Sequence, residues 1–271
     1  MSKALIHPQT AAQIKRLHYF WLRHTVIVAV GMLLALSISL LVVVPDLYRR
    51  TGWFIGTLTS YLFIAYLLLP LLWWLYERYL SQRWHAGRTQ THAGIPSDPL
   101  NVGLIGYKSQ VVRAMLTAGW VPADKITLRS SLRIAESVVL NRPYPQAPVS
   151  DLYLMSRQQD LAFEREIGKS ARVRHHVRLW RTKHIPGHGY LWIGAASLDA
   201  HAGISHLTGQ VTHHIDGKVD REREQLITDL KQAHCLRRVS RVRNRRLDKH
   251  GRNAGGDSFQ TDGYLEIALL T

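Results

Sequence analysis

Two uncharged apolar runs near the start of the chain constrain its fold more than anything that follows. Residues 25–44, TVIVAVGMLLALSISLLVVV, carry no charged side chain, and thirteen of the twenty are Val, Ile or Leu. At 1.5 Å per residue, twenty helical residues extend about 30 Å, the depth of the bilayer hydrocarbon. At about −0.3 to −0.6 kcal/mol for each aliphatic side chain, insertion is favoured by roughly 5 kcal/mol, with no charge opposing it. Residues 52–76 repeat the pattern over 25 uncharged positions. Pro70 lies inside the second run, which bilayer helices tolerate when neighbouring groups satisfy the freed carbonyl. Aromatics stand where the membrane interface would fall: His18 to Trp21 before the first run, Tyr48 and Trp53 between the runs, and Trp73, Trp74 and Tyr76 at the exit.

These features predict a two-helix transmembrane hairpin, with spans at 25–44 and 52–76 and a turn at 45–51. Both runs are apolar all round, unlike the one-sided helices of a soluble core. A cleaved signal peptide is a poor match, because its apolar region is only about 7 to 15 residues long and ends at a small-residue cleavage site. Seven basic residues flank the outer ends of the pair (Lys3, Lys15, Arg16, Arg23, Arg78, Arg83, Arg88), against Arg49 and Arg50 in the turn. By the positive-inside rule the short N-terminal segment, 1–24, and everything after the second span are cytoplasmic, in a multi-pass protein of an inner membrane.

Beyond a polar linker at 77–97, residues 98–271 are numerous enough to enclose a core of their own. The net charge of +16, from 35 Lys and Arg against 19 Asp and Glu, would suggest nucleic acid for a free protein. For a tethered domain the anionic bilayer is the simpler partner, and nucleic acid is not expected. Cys235 is the only cysteine, so an intramolecular disulfide and a thiolate zinc site are both excluded.

The domain reads as α+β with a largely antiparallel sheet, because clustered strands are interrupted by separate helices. Strands are expected at 102–105, 152–155, 161–163, 173–181, 191–198 and 264–270. One helix follows Ser109 as its cap, with Val111, Val112, Met115 and Leu116 inward and Gly119 as its stop. A second follows Thr127, with Leu128, Leu132, Ala135 and Val139 as the inward face. A third spans 219–233, with Val219, Leu226, Ile227 and Leu230 inward and Asp220, Glu222 and Glu224 near its positive end. The arginine-rich stretch 236–251 reads as a solvated basic insertion, suited to anionic lipid at about 1 kcal/mol per residue near the surface.

Five segments in order, DLYLMSRQQDLAFERE (151–166), RHHVRLW (174–180), LWIGAASLD (191–199), SHLTGQVTHHID (205–216) and GRNAGGDSFQTDG (251–263), resemble the LssY-type C-terminal domain. The resemblance covers residues 98–271 and implies a bacterial membrane protein. That domain is found appended to bacterial membrane proteins, some with phosphatidic acid phosphatase modules, and the resemblance supplies no mechanism. The phosphatase signature itself is absent. Arg142-Pro143 is present, but Ala135 stands where its lysine would be, and no Ser-Gly-His occurs. The nucleotide-binding and metalloprotease patterns Walker A, Gly-x-Gly-x-x-Gly and His-Glu-x-x-His are also missing.

Eight of the 15 histidines fall between positions 175 and 214. Imidazole and carboxylate together suit zinc, manganese or iron, so a divalent metal held by His175, His213 or His214 is one expectation. Strand alternation sets His175 with Val173, Val177 and Leu179, and sets His176 with Arg174 and Arg178 on a cationic face suited to an anion. His213 and His214 face opposite ways in the same manner. The catalytic candidates are therefore His175, His176, His213, His214, Asp216 and Asp257, with Asp216 also able to cap the helix that follows. Ligand-binding candidates are Arg157, Asp160 and Arg178, together with Asn253 and Asp262 in a Gly-rich loop able to present backbone N–H groups. Each also has an ordinary structural reading: core histidine, turn, or strand entry.

Two functions fit these residues. One is a membrane-anchored hydrolase of a phosphate ester or lipid-derived substrate, whose pocket forms where the two histidine doublets meet Asp257 or Asp262. The other is a non-catalytic module that binds anionic lipid head groups or a partner membrane protein.

Overall fold

The computed structural model describes residues 30–76, 87–140, 142–168, 173–207, 209–245 and 247–271. The basic residues up to Arg23, Arg78, Arg83 and Arg246, the first aromatic cluster, the first five residues of the first apolar run and residues 77–86 of the expected linker lie outside the described residues. The chain divides into two compact units, residues 1–83 and 84–271.

In the first unit the apolar residues form a helix, α1 (Val30–Leu75), long and apolar enough to cross a membrane. Its side chains are not those of a core helix: Leu41, Trp53 and Phe54 are each at least three-quarters exposed. The helix contains one non-helical residue, Gly52, at φ +74, a conformation that costs glycine little and other residues more. Beyond it, a Cβ on Gly56 would stand 2.9 Å from the Cα of Tyr48, and the Tyr48 hydroxyl lies 3.1 Å from Thr57 Oγ1. Along an unbroken helix, residues 48 and 56 would be about 12 Å apart. A wider π turn, Ile64–Leu68, precedes Pro70, an adjustment that accommodates the donor proline lacks.

The second unit is α+β and largely antiparallel. A short sheet joins β1 (Arg88–Gln90), β2 (Pro96–Pro99), β5 (Tyr153–Leu154) and β6 (Arg157–Gln158). The main sheet contains β3 (Val102–Gly106), β4 (Val121–Pro122), β7 (Leu161–Glu166), β8 (Arg174–Ile185), β9 (Gly189–Ile204), β10 (Val211–Ile215), β11 (Leu236–Arg243) and β14 (Tyr264–Leu270). Its order is β11-β14-β3-β9-β8-β7-β4, with β10 paired to β9. Among the pairings of the described strands, only β14–β3 is parallel. A small ribbon, β12 (His250–Arg252) with β13 (Ser258–Gln260), completes the strands.

Helices α2 (Lys108–Thr117) and α4 (Val219–Gln232) cover one face of the main sheet. Val111, Met115, Leu226 and Leu230 meet Leu104, Phe163, Val177 and Trp192 there in a continuous core. At about 1.5 to 3 kcal/mol for each fully buried large apolar side chain, this core is the main stabilising term of the unit. The opposite face is mixed: Trp180 packs with Leu100, Leu152 and Ala195 in a second small core, and charged side chains lie beside it. Arg174 donates to the carbonyls of Ala147 and Pro148, and Arg178 to that of Ser150, so a loop is stapled across β8 by charged side chains.

Four sequence expectations need correction. Tyr107, two residues ahead of Ser109, caps α2, and its backbone N–H is held by the Gln110 side chain at 2.8 Å. Helix α3 (Leu128–Leu140) does follow Thr127, whose Oγ1 accepts from the Ser130 N–H. Its proposed inward face is nevertheless turned out: Leu128 is 81% and Leu132 64% exposed, while Ser130 and Ser137 are buried. The side chains of Ala135 and Val139 lie outside the description. The basic stretch from 236 is not a loop insertion at its start, because β11 pairs with β14 over its whole length as the sheet edge. The face of β8 that carries Arg174, His176 and Arg178, expected to suit an anionic ligand, is buried at 2 to 5% exposure, and the anions it meets are the chain's own Asp98, Glu164 and Asp199.

Candidate functional site

Strand β9 organises the chemistry because it pairs with two partners at once. Asp199 lies opposite Arg174 of β8 on one side and Ile215 of β10 on the other. The two histidine doublets thus sit on strands separated by β9.

On β8, His176 is buried between two carboxylates. Its Nδ1 lies 3.3 Å from Asp199 and its Nε2 4.0 Å from Asp98. Arg174 bridges Asp199 and Glu164 at 2.9 and 2.7 Å, and Arg178 reaches Asp98 at 3.2 Å. Burial alone would raise the Asp199 carboxyl, but His176, Arg174 and His213 outweigh it and hold the group down at about 2. Asp98 is likewise lowered, its burial offset by His176 and Arg178. Glu164 goes the other way. Burial pushes it up to about 8 in spite of Arg174, because that single cation is shared with an ionised Asp199. This network staples strands and loop together; Arg178 and His176 of the sequence reading belong to it.

His175, on the other face, contacts Glu222 of α4 at 2.6 Å beside the Trp120 ring. It locks helix to sheet. Arg157 and Asp160 hold one another at 2.9 Å and tie down the backbone of Arg181, which makes them a turn clasp. Asp216 accepts the Lys218 N–H at 2.9 Å just ahead of α4. Asp262 pairs with Arg223 and Arg241, and these partners, with Asp262's own burial opposing them, bring its carboxyl to about 2.

His214 and Asp257 do come together. Nδ1 of His214 is 2.5 Å from Oδ1 of Asp257, whose second oxygen accepts the Ile215 N–H at 3.1 Å. Asn253 fixes the aspartate from below: its Oδ1 takes the Asp257 N–H at 2.9 Å, and its Nδ2 approaches Oδ2 at 3.3 Å. Two further histidines, not singled out in the sequence reading, complete the cluster. His201 stacks on the His214 ring at 4.8 Å between centroids, and His206 tilts against it at 5.2 Å. One donor atom from each of His206, His214 and Asp257 lies within 4.8 Å of the others, the arrangement of a cation site.

Glycine makes this packing feasible at two places. A Cβ at Gly203 would meet the His214 ring at 2.5 Å, and one at Gly256, which sits at φ +90, would meet His206 Cβ at 2.8 Å. The backbone N–H of His206 also donates to Gly255 at 2.9 Å. Sequence alternation could rank His214 against His213, but His206 lies in the connection between β9 and β10, where no periodicity reports direction.

The fold and these residues define an α+β domain with an apolar core, a buried charged network on one face of β8 and a histidine-aspartate cluster, in a chain that also carries a helix of membrane-crossing length. A family model described as the LssY C-terminus matches residues 77–265. The chain belongs to that family. No curated protein and no solved structure matches it.

Proposed function

We propose that this chain is a membrane-anchored hydrolase of an anionic ester, of the phosphate or lipid-derived class, working with a divalent metal ion held by His206, His214 and Asp257. The observation that carries the reading is the convergence of three donor atoms, from three separate stretches of chain, within 4.8 Å of one another. Two imidazoles and a carboxylate suit zinc, manganese or iron. Three protein ligands leave a coordination position for water, and a bound ion lowers the pKa of that water towards about 7. His206 is exposed while His214 is buried, so the cluster has a solvent side where substrate can approach. Arg252, exposed and bonded to the Gly256 carbonyl at 3.3 Å, places positive charge beside it for an anionic group. The test is hydrolysis of phosphate mono- and diesters and of phosphatidic acid by the full chain in detergent, with each metal supplied. Activity that His214→Ala abolishes, in a variant with unchanged thermal unfolding, supports the reading; activity that survives contradicts it.

A non-catalytic role in binding anionic lipid is the second reading. It is favoured by β11, where Arg237, Arg238, Arg241 and Arg243 are all exposed along one sheet edge.

The anchor is best read as a hairpin of two spans in an inner membrane, with both chain ends cytoplasmic. An unbroken helix of 46 residues would be about 69 Å long, more than twice the hydrocarbon depth. The positive φ at Gly52 and the approach of Gly56 to Tyr48 support a reversal there. The basic bias of the flanks supports the orientation.

A further inference from the structure

Helix α3 packs inward through Ile134, which meets Tyr144 and Ala147, and leaves leucines on its outer side. Ser130 and Ser137 face the interior at 5% and 2% exposure, while Leu128 and Leu132, one turn apart, are 81% and 64% exposed. Ile126 just ahead of the helix and Leu140 at its end are more than half exposed as well. Leaving such side chains in water forfeits the favourable free energy of burying them. A helix that buries serine and exposes leucine makes sense when the leucines meet an apolar phase.

The charges beside this face indicate which phase. From Lys125 to Arg142 the segment carries Lys125, Arg129, Arg133 and Arg142 against Glu136 alone. Leucine flanked by arginine is the pattern of helices that lie in the plane of an anionic membrane surface. A protein partner would need only the apolar half of that pattern. The tether adds to it, since eleven residues separate Tyr76 from Arg88 and reach at most about 40 Å when extended. A domain so held meets the bilayer at high effective concentration.

We propose that α3 is an interfacial helix, seated through Leu128 and Leu132 in the head-group region of an anionic bilayer. The proposal rests on the anchor part of the functional reading and is independent of the metal cluster.

The test uses the full chain with Cys235→Ser in nanodiscs of mixed anionic and zwitterionic lipid. An environment-sensitive dye is placed at Leu132→Cys and, in a separate sample, at Leu41→Cys in α1. The expected result is a blue-shifted dye at position 132, quenched by lipid-borne nitroxide and little affected by aqueous iodide, with the shift lost in purely zwitterionic discs. Quenching by iodide instead overturns the proposal. So does a shielded dye that lipid-borne nitroxide leaves untouched, which would mean that protein, a second copy included, covers the helix. The dye at position 41 separates the two failures. Lipid quenching there without it at 132 removes only the interfacial helix, whereas its absence at 41 removes the anchor.

Discussion

At the scale of the residue, the buried face of β8 puts more charge inside the domain than a small fold ordinarily tolerates, and it balances that charge by sharing. Asp199 serves Arg174 and His176 together, with side chains under a tenth exposed. Removing one member of a buried ionic group costs about 3 to 5 kcal/mol, because the remaining charges lose their counter-ion. Asp199→Asn should lower stability by about that much, read by chemical denaturation at neutral pH. Because the folded carboxyl sits at about 2, below its ordinary 3.8, the wild-type contribution is complete above about pH 4 and is lost as pH falls towards 2.

Glu164 has the opposite sign. Its folded value of about 8 lies above the ordinary 4.5, so ionisation favours the unfolded chain and stability declines as pH rises from about 4.5 to about 8. Glu164→Gln should flatten that part of the stability profile and leave the protein at least as stable at pH 8. A profile that keeps its slope in this variant would show that Glu164 is ionised in the fold.

At the scale of the element, periodicity was a reliable guide to what shares a face and a poor guide to where that face points. The inward residues of α4 and the extent of β14 were readable directly, because a 3.6-residue pattern against a polar background and an apolar run after Asp262-Gly263 leave little choice. Helix α3 carries an equally clear pattern, yet Leu128 and Leu132 are exposed and Ser130 and Ser137 buried. The sequence holds the pattern, and the surroundings set its direction. Strand β8 shows the same gap: alternation separated His175 from His176 correctly, but solvation of the second face depended on a loop stapled by arginine. In strand β11 the arginines hide the modest valine pattern that pairs it with β14, so the sequence reads as a solvated insertion where the fold has an edge strand.

The edge strand has its own test, made with the full chain in nanodiscs rather than with a fragment. Replacing Arg237, Arg238 and Arg243 with Gln should weaken capture of added anionic liposomes. The wild-type capture should fade as salt shortens the screening length to below about 10 Å. Equal capture of neutral liposomes would remove the electrostatic role.

At the scale of the whole molecule, the hydrophobic N-terminal unit was legible from composition alone, and the α+β class followed from the order of strands and helices. The candidate centre was legible only in part. His214, Asp257 and Asn253 stood out as polar residues beside turns, whereas His206 joins them through a connection whose path only the fold reveals. The doublets lie on strands either side of β9: His176 and His213 both act on the Asp199 carboxyl, while His214 joins Asp257. The orientation reading leads to a plain expectation: reporters fused before Lys3 and after Thr271 both report cytoplasm. A periplasmic signal at either end contradicts it.

The central claim is that His206, His214 and Asp257 bind one divalent ion, with Asn253 holding the carboxylate in place. Its most direct measurement is titration of the metal-stripped full chain in detergent with cobalt(II), followed by its visible d–d absorption and by calorimetry. The account predicts saturation at one ion per chain with a tetrahedral-type spectrum, displacement by zinc, and loss of the signal in His206→Ala and Asp257→Asn. Asn253→Ala, which removes a partner of the ligand rather than a ligand, should weaken binding by about 10- to 100-fold. Cobalt binding that is absent in the wild-type chain, or that persists unchanged in both ligand variants, would contradict it.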